Sequence, residues 1–173
     1  MAKKKVLNKE SIISVYMAYV LDNEKKPHTV YQFSKAHNFD EQEFYKFFAS
    51  FEVLEKHVFN AFFENTVKAL SKSVDYTSFD ARNKLLSFYY TFFENLSANR
   101  SYVIQSLENS KTSLKGLKLF SSLKDSFTQY IDELDIEMID VKQKQIQEIQ
   151  RKALKESAWM QLLMTMKFWM DDT

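Results

Sequence analysis

Residues 29–48 read Thr-Val-Tyr-Gln-Phe-Ser-Lys-Ala-His-Asn-Phe-Asp-Glu-Gln-Glu-Phe-Tyr-Lys-Phe-Phe, and this stretch decides the fold. Thr29 has a side-chain oxygen that can cap a helix start, and a helical segment over 30–36 follows it. Asn38 is, after Gly, the residue type best able to take a left-handed turn. Asp40 then offers a second cap, with its negative charge at the positive end of a third helix running to about residue 47. Helices this short are marginal alone and need a shared core. Phe33, Phe39, Phe44 and Phe48 supply one.

Working outward, Asn8 can cap a first helix over 9–23, whose Ile12, Ile13, Tyr16, Tyr19 and Val20 keep the three-and-four spacing of a buried stripe. A charged break at 24–27 closes on the only Pro. Downstream, Ser50 opens a long fourth helix to about residue 73, with Leu54, Val58, Ala61, Phe62, Val67 and Leu70 near one face. The polar residues 71–78 read as a linker. Further helices are predicted over 79–97, over 100–110, from Gly116 through Leu134, and over 139–170. The expectation is an all-α fold: a three-helix headpiece (1–49), a connecting helix (50–73) and a helical body (74–173).

Composition supports this. One Gly and one Pro in 173 residues leave too few turn formers for an all-β fold. Sixteen Phe and nine Tyr imply a bulky interior of rings. A net charge of +1 provides no global field for gathering nucleic acid, so any such site must be local. The absence of Cys excludes disulfides, thiol catalysis and cysteine metal sites. No apolar run follows Lys3, Lys4 and Lys5, and no stretch reaches membrane-spanning length, so a cytoplasmic protein is expected. The glycosylation-like triplets at Asn95 and Asn99 then read as chance matches.

The segment 29–59 resembles the helix-turn-helix headpiece of TetR-type transcriptional regulators, and it aligns without a gap. Thr29 falls where that family caps its second helix, and Asn38 falls on the turn glycine. Phe33 and Phe39 fall on buried aliphatic positions, Tyr45 and Phe48 on the Tyr and Phe that close the recognition helix. The resemblance implies a TetR-like fold, a homodimer, operator DNA as partner and a C-terminal helical bundle that takes a small hydrophobic ligand or lipid. On this basis Lys3, Lys4, Lys5, Thr29, Lys35, Gln42, Tyr45 and Lys46 are the candidate DNA contacts. Gln42 is suited to reading an adenine edge.

Departures from the family pattern bear on function. Asp40, Glu41, Gln42 and Glu43 stand where relatives present Ser, Lys or Pro, Gly and Thr or Ala. Phe51 replaces a phosphate-contacting Lys. Carboxylates facing phosphates lower affinity, because phosphate neutralisation supplies most non-specific binding. Two readings stay open: a repressor in which other lysines compensate, or a TetR-fold lipid-binding or accessory protein without DNA binding. The segment 158–173 is similar to an apolar helix with an acidic end in the TetR-fold lipid-binding protein of ubiquinone biosynthesis.

The last helix is polar over 142–155, whereas Trp159, Met160, Leu162, Leu163, Met164, Met166, Phe168, Trp169 and Met170 make its second half apolar nearly all round. It suits a core helix, a wall of a hydrophobic pocket where Met adapts to shape, or a dimer face. The candidate pocket residues are Phe88, Tyr89, Phe92, Phe127, Trp159, Leu163 and Met166. TetR-like bodies dimerise through their last two helices, and at least one more helix is expected than the chain carries before Thr173. His28, His37 and His57 lack the spacing of a helix-borne metal site. Acid neighbours such as Glu133 with Asp135, or Asp171 with Asp172, read as solvated caps. No catalytic constellation, metal or cofactor is expected.

Overall fold

The computed structural model of the protein describes residues 7–108, 118–134, 136–138 and 143–172. These form α1 (Lys9–Asn23), α2 (Val30–Ala36), α3 (Glu41–Tyr45), α4 (Phe51–Leu70), α5 (Val74–Ser78), α6 (Ala81–Ala98), α7 (Arg100–Glu108), α8 (Ser121–Glu133) and α9 (Lys144–Asp171). No strand occurs among the described residues. The fold is all-α, as the composition requires.

Local chemistry sets most helix starts. Asn8 Oδ1 accepts from the Ser11 N–H at 2.8 Å while the Asn8 N–H donates to Ser11 Oγ at 3.0 Å, a reciprocal capping box. Thr29 Oγ1 accepts from Gln32 N at 3.1 Å, and Ser50 Oγ accepts from Val53 N at 3.3 Å. Asp40 takes the extended cap backbone of α3 but makes no side-chain capping bond. Between α2 and α3, Asn38 sits at φ 59°, and the Phe39 N–H reaches back to the Ser34 carbonyl at 3.0 Å. The left-handed turn therefore falls on the residue that the sequence offers for it.

Asn38 provides a direct check on that turn. Asn38→Gly is expected to leave stability equal or better, because Gly carries no Cβ penalty at positive φ. Asn38→Ala should lose about 1–2 kcal/mol in urea denaturation followed by circular dichroism. Equal stability of the two variants would contradict the left-handed assignment.

Several boundaries differ from the sequence reading. The expected linker 71–78 contains the single-turn helix α5, whose Tyr76 hydroxyl lies 2.7 Å from that of Tyr130 on α8. This long-range bond orders a polar segment that local propensity leaves open. The helix read from residue 79 starts at Ala81 because Asp80 Oδ1 caps Asn83 N at 2.7 Å. The third helix ends at Tyr45, two residues early, and turns through Lys46 and Phe47 into α4. The start predicted at Gly116 and the segments 109–110 and 139–142 lie outside the described residues.

α4 is the shared wall of the molecule, packing on α1 at one end and on α6 and α8 at the other. α9 packs along α8, where Lys124–Glu156 and Lys155–Asp132 ion pairs, both 2.8 Å, flank the contact. The headpiece core gathers Ile12, Tyr16, Phe33, Phe39, Phe44 and Phe48. It runs through Leu54 and Phe59 of α4 into the body, so one continuous apolar core spans both parts.

Candidate functional site

α2 and α3 form the presented edge of the headpiece. A groove of about 580 Å³ lies between them, lined by Tyr31, Ser34, Lys35, Phe39, Asp40, Glu41 and Gln42. The structure therefore brings Lys35 and Gln42 together at one exposed surface. Thr29, Tyr45 and Lys46 are exposed on the same two-helix unit but do not line the groove. Tyr31, which the sequence reading passed over, is 58% exposed, with Lys35 Nζ 5.8 Å from its ring centre. Its signal is an aromatic on the polar side of a two-turn helix. Lys3, Lys4 and Lys5 lie outside the described residues.

The acids of α3 have separate roles. Glu41 lines the groove and accepts a long hydrogen bond from the Tyr45 hydroxyl at 3.4 Å. Glu43 forms an i,i+3 ion pair with Lys46. Two side chains that would seek phosphate are thus each engaged by a carboxylate of their own helix. The Lys46–Glu43 pair is largely solvated, and exposed pairs of this kind contribute at most about 1 kcal/mol. Another anion can compete for that lysine.

Phe51 is turned inward rather than towards the groove. Its ring stacks on Tyr16 at 5.5 Å and meets Phe44 edge-on at 5.2 Å and Phe33 at 5.6 Å. Phe51, read from the sequence as a lost phosphate contact, thus packs against the headpiece core. His37 packs between Phe33 at 4.9 Å and Tyr19 at 5.9 Å, and His57 lies 5.6 Å from Phe48. Burial lowers the proton affinity of both imidazoles, aided at His57 by the charge of Lys9. Among the described residues no cluster of His, Asp and Glu has the make-up of a metal site.

In the body, Phe88, Phe92 and Phe127 are fully buried, with Phe88 packed against both of the others. Phe88 lies 5.4 Å from both of the others and 5.0 Å from Tyr130, and Phe127 reaches Trp159 at 6.4 Å. Met166 is buried, while Tyr89 and Leu163 are half-buried at the edge of this cluster. Tyr130 and Phe63 join the network and were not singled out by the sequence. They also line a cavity of about 190 Å³ between α4 and α8, together with Val67, Ser126, Gln129 and Glu133. That cavity has an apolar floor and a polar rim, and it opens beside the rings.

α9 is divided by its own periodicity. Trp159, Leu162 and Met166 enter the core, whereas Met160, Met164 and Phe168 point outward, Phe168 with 69% of its surface exposed. The i, i+4, i+8 spacing of the exposed three defines one apolar stripe. The helix end is held by Arg100, whose guanidinium lies 4.5 Å over the Trp169 ring and donates to the Trp169 carbonyl at 3.3 Å. Trp169 Nε1 in turn donates to Ser97 Oγ at 3.1 Å.

Residues 84–173 match the family model described as the tetracyclin repressor-like C-terminal domain, slightly more than half of the chain. Neither the curated proteins nor the solved structures contain a significant match to the chain. Among the described residues, no helix is long and apolar enough to cross a membrane.

Proposed function

Because the chain belongs to the tetracycline repressor-like family, we propose that it is a one-component transcriptional regulator, acting as a cytoplasmic, non-enzymatic homodimer. In this reading residues 1–49 contact operator DNA, residues 50–73 connect, and residues 74–173 take a small hydrophobic molecule. The observation that carries it is the α2–turn–α3 unit, closed by left-handed Asn38 and mounted through α4 on a body of this family. Gln42 has the paired donor and acceptor that an adenine edge requires. Thr29, Lys35, Tyr45 and Lys46, with the Lys3–Lys5 arm, are the phosphate contacts.

The ligand enters beside Tyr130 and Phe63 and parts the rings of Phe88, Tyr89, Phe92, Phe127 and Trp159, with Leu163 and Met166 adapting around it. Met supplies the adaptable wall that such entry needs. Regulation follows only if the ligand binds two headpiece arrangements unequally. The Met160–Met164–Phe168 stripe is the surface on which two copies pair.

Selection of bound sequences from a random DNA pool tests the reading. Enrichment of one motif, bound by two chains per site, is expected. Lys46→Glu should weaken that complex and lower its salt slope by about two units, one for each bound chain. Glu43→Gln, which releases Lys46, should raise affinity and steepen the slope by a similar amount. No enriched motif, or a complex indifferent to both substitutions, overturns DNA recognition by this face.

A second reading, a TetR-fold lipid-binding or accessory protein, is favoured by the Lys46–Glu43 pair and the inward Phe51. Lipid co-purifying in native mass spectrometry, together with no enriched motif, is its expected signature. A lipid-free protein that extracts none from vesicles removes its basis.

A further inference from the structure

Glu55 is a carboxylate placed inside the core, only 9% exposed, on the second turn of α4. A buried charge is costly unless it is paired and hydrogen-bonded. Two groups from the headpiece answer it. Tyr16 on α1, itself fully buried, donates to Glu55 Oε1 at 2.6 Å. Lys26, from the connection between α1 and α2, reaches the same carboxylate at 2.7 Å. Lys26 remains half-exposed, so the pair spans from solvent to core.

Tyr102 on α7 is 2% exposed. Burial first, and the charge of Glu55 in addition, push its phenol above the ordinary range, opposed by a hydrogen bond with Ser106. Tyr16 is raised by the same two causes, burial foremost, and so stays a proton donor. α7 is also tied to α1 directly, since Gln105 Nε2 donates to the Val20 carbonyl at 3.2 Å. One carboxylate therefore ties α1 and the α1–α2 connection to α4, and α1 is in turn bonded to α7.

We propose that Tyr16, Lys26 and Glu55 form a latch that holds α1 and the α1–α2 connection on α4, and so sets how the headpiece sits against the body. A buried carboxylate held by one buried phenol and one half-exposed ammonium is a contact that is either made or released to solvent, as a two-state device requires. As a regulatory device, the latch rests on the reading of the protein as a regulator. The element itself needs neither DNA nor ligand to be observed.

The chain has no Cys, so labels can be placed cleanly. Spin labels at Gln32→Cys on α2 and Gln129→Cys on α8, both exposed in the parent, report the headpiece-to-body distance. Labelled chain is diluted with unlabelled chain so that only intrachain pairs are read. The parent is expected to give one dominant distance. Tyr16→Phe removes the bond to Glu55 and should raise a second distance population on the order of tenfold. Lys26→Met, at a half-exposed site, should do so more weakly and keeps the test valid if Tyr16→Phe folds poorly.

An unchanged distance distribution in folded Tyr16→Phe and Lys26→Met, whatever their stability, overturns the latch. Failure of the regulator reading shows separately, as a DNA selection with no enriched motif, and leaves these distances untouched.

Discussion

Replacing Phe88 by alanine is expected to remove about 3–5 kcal/mol of folding stability, the range for deleting a buried aromatic ring. Phe88 is the hub of the body. Its ring meets Phe63, Phe92, Phe127 and Tyr130 within 5.5 Å and Tyr89 at 6.1 Å. These partners come from α4, α6 and α8, each a rigid helix that cannot collapse independently onto the space left behind. The residual cavity should be large and the loss near the upper end. Small domains have only about 5–15 kcal/mol in all, so a single substitution takes a large fraction of it. The midpoint of urea denaturation by circular dichroism reads the loss, with Phe88→Leu as a milder comparison. A loss under about 1 kcal/mol would mean that the site refills easily, and Phe88 would then not be a hub.

Phe33→Ala is expected to act differently, although the deleted ring is the same. Phe33 is 1% exposed and lies within 6.3 Å of Tyr16, Tyr19, His37, Phe39, Phe44 and Phe51. All of these belong to the headpiece or to the first residue of α4. α2 and α3 have seven and five residues, too short to persist without this shared core. A loss of about 3–5 kcal/mol here should appear as local opening. Hydrogen exchange is expected to lose protection in α2 and α3 while α6 and α8 keep theirs. Uniform loss along the chain would mean that headpiece and body unfold as one unit, and the division at residues 49 and 73 would not describe its stability. Any enriched DNA complex should be lost in the same variant, because the groove between α2 and α3 depends on that core.

The two variants also test opposite ends of α4. This helix carries Leu54 and Phe59 from the headpiece core into the body core. Glu55 sits between them, a buried polar contact within that apolar run.

Much of the headpiece was legible because its determinants are local. A cap needs one oxygen and an N–H three residues on, so Asn8, Thr29 and Ser50 could be read directly. A left-handed turn between two short helices selects Asn when Gly is absent, hence Asn38. Ring residues at helical spacing had to face a core, and Phe33, Phe39, Phe44 and Phe48 do. The body family was implied by the headpiece, and the match over 84–173 bears it out on the other half of the chain.

The groups around the candidate site were less legible. Phe51 read as a lost phosphate contact, and nothing in its neighbours announced that it stacks on Tyr16, 35 positions earlier. Polarity alone made α5 a linker, whereas Tyr76 gains a partner on α8 that local propensity does not register. The second half of the last helix looked apolar nearly all round, and only its packing against α8 separates Trp159, Leu162 and Met166 from the outward Met160, Met164 and Phe168. The acids of α3 could be counted, but their pairing with Tyr45 and Lys46 depends on side-chain direction.

By itself, then, the sequence determined that this chain is all-helical, where its first helices start, and that a three-helix headpiece precedes a ring-filled body. Those properties follow from hydrogen bonds and periodicities spanning three or four residues. Only the tertiary structure decided which rings face one another, which side of α9 is left uncovered, and that Glu55 joins α1 to α4. These depend on groups tens of positions apart meeting in space, where burial changes what a charge or a ring costs.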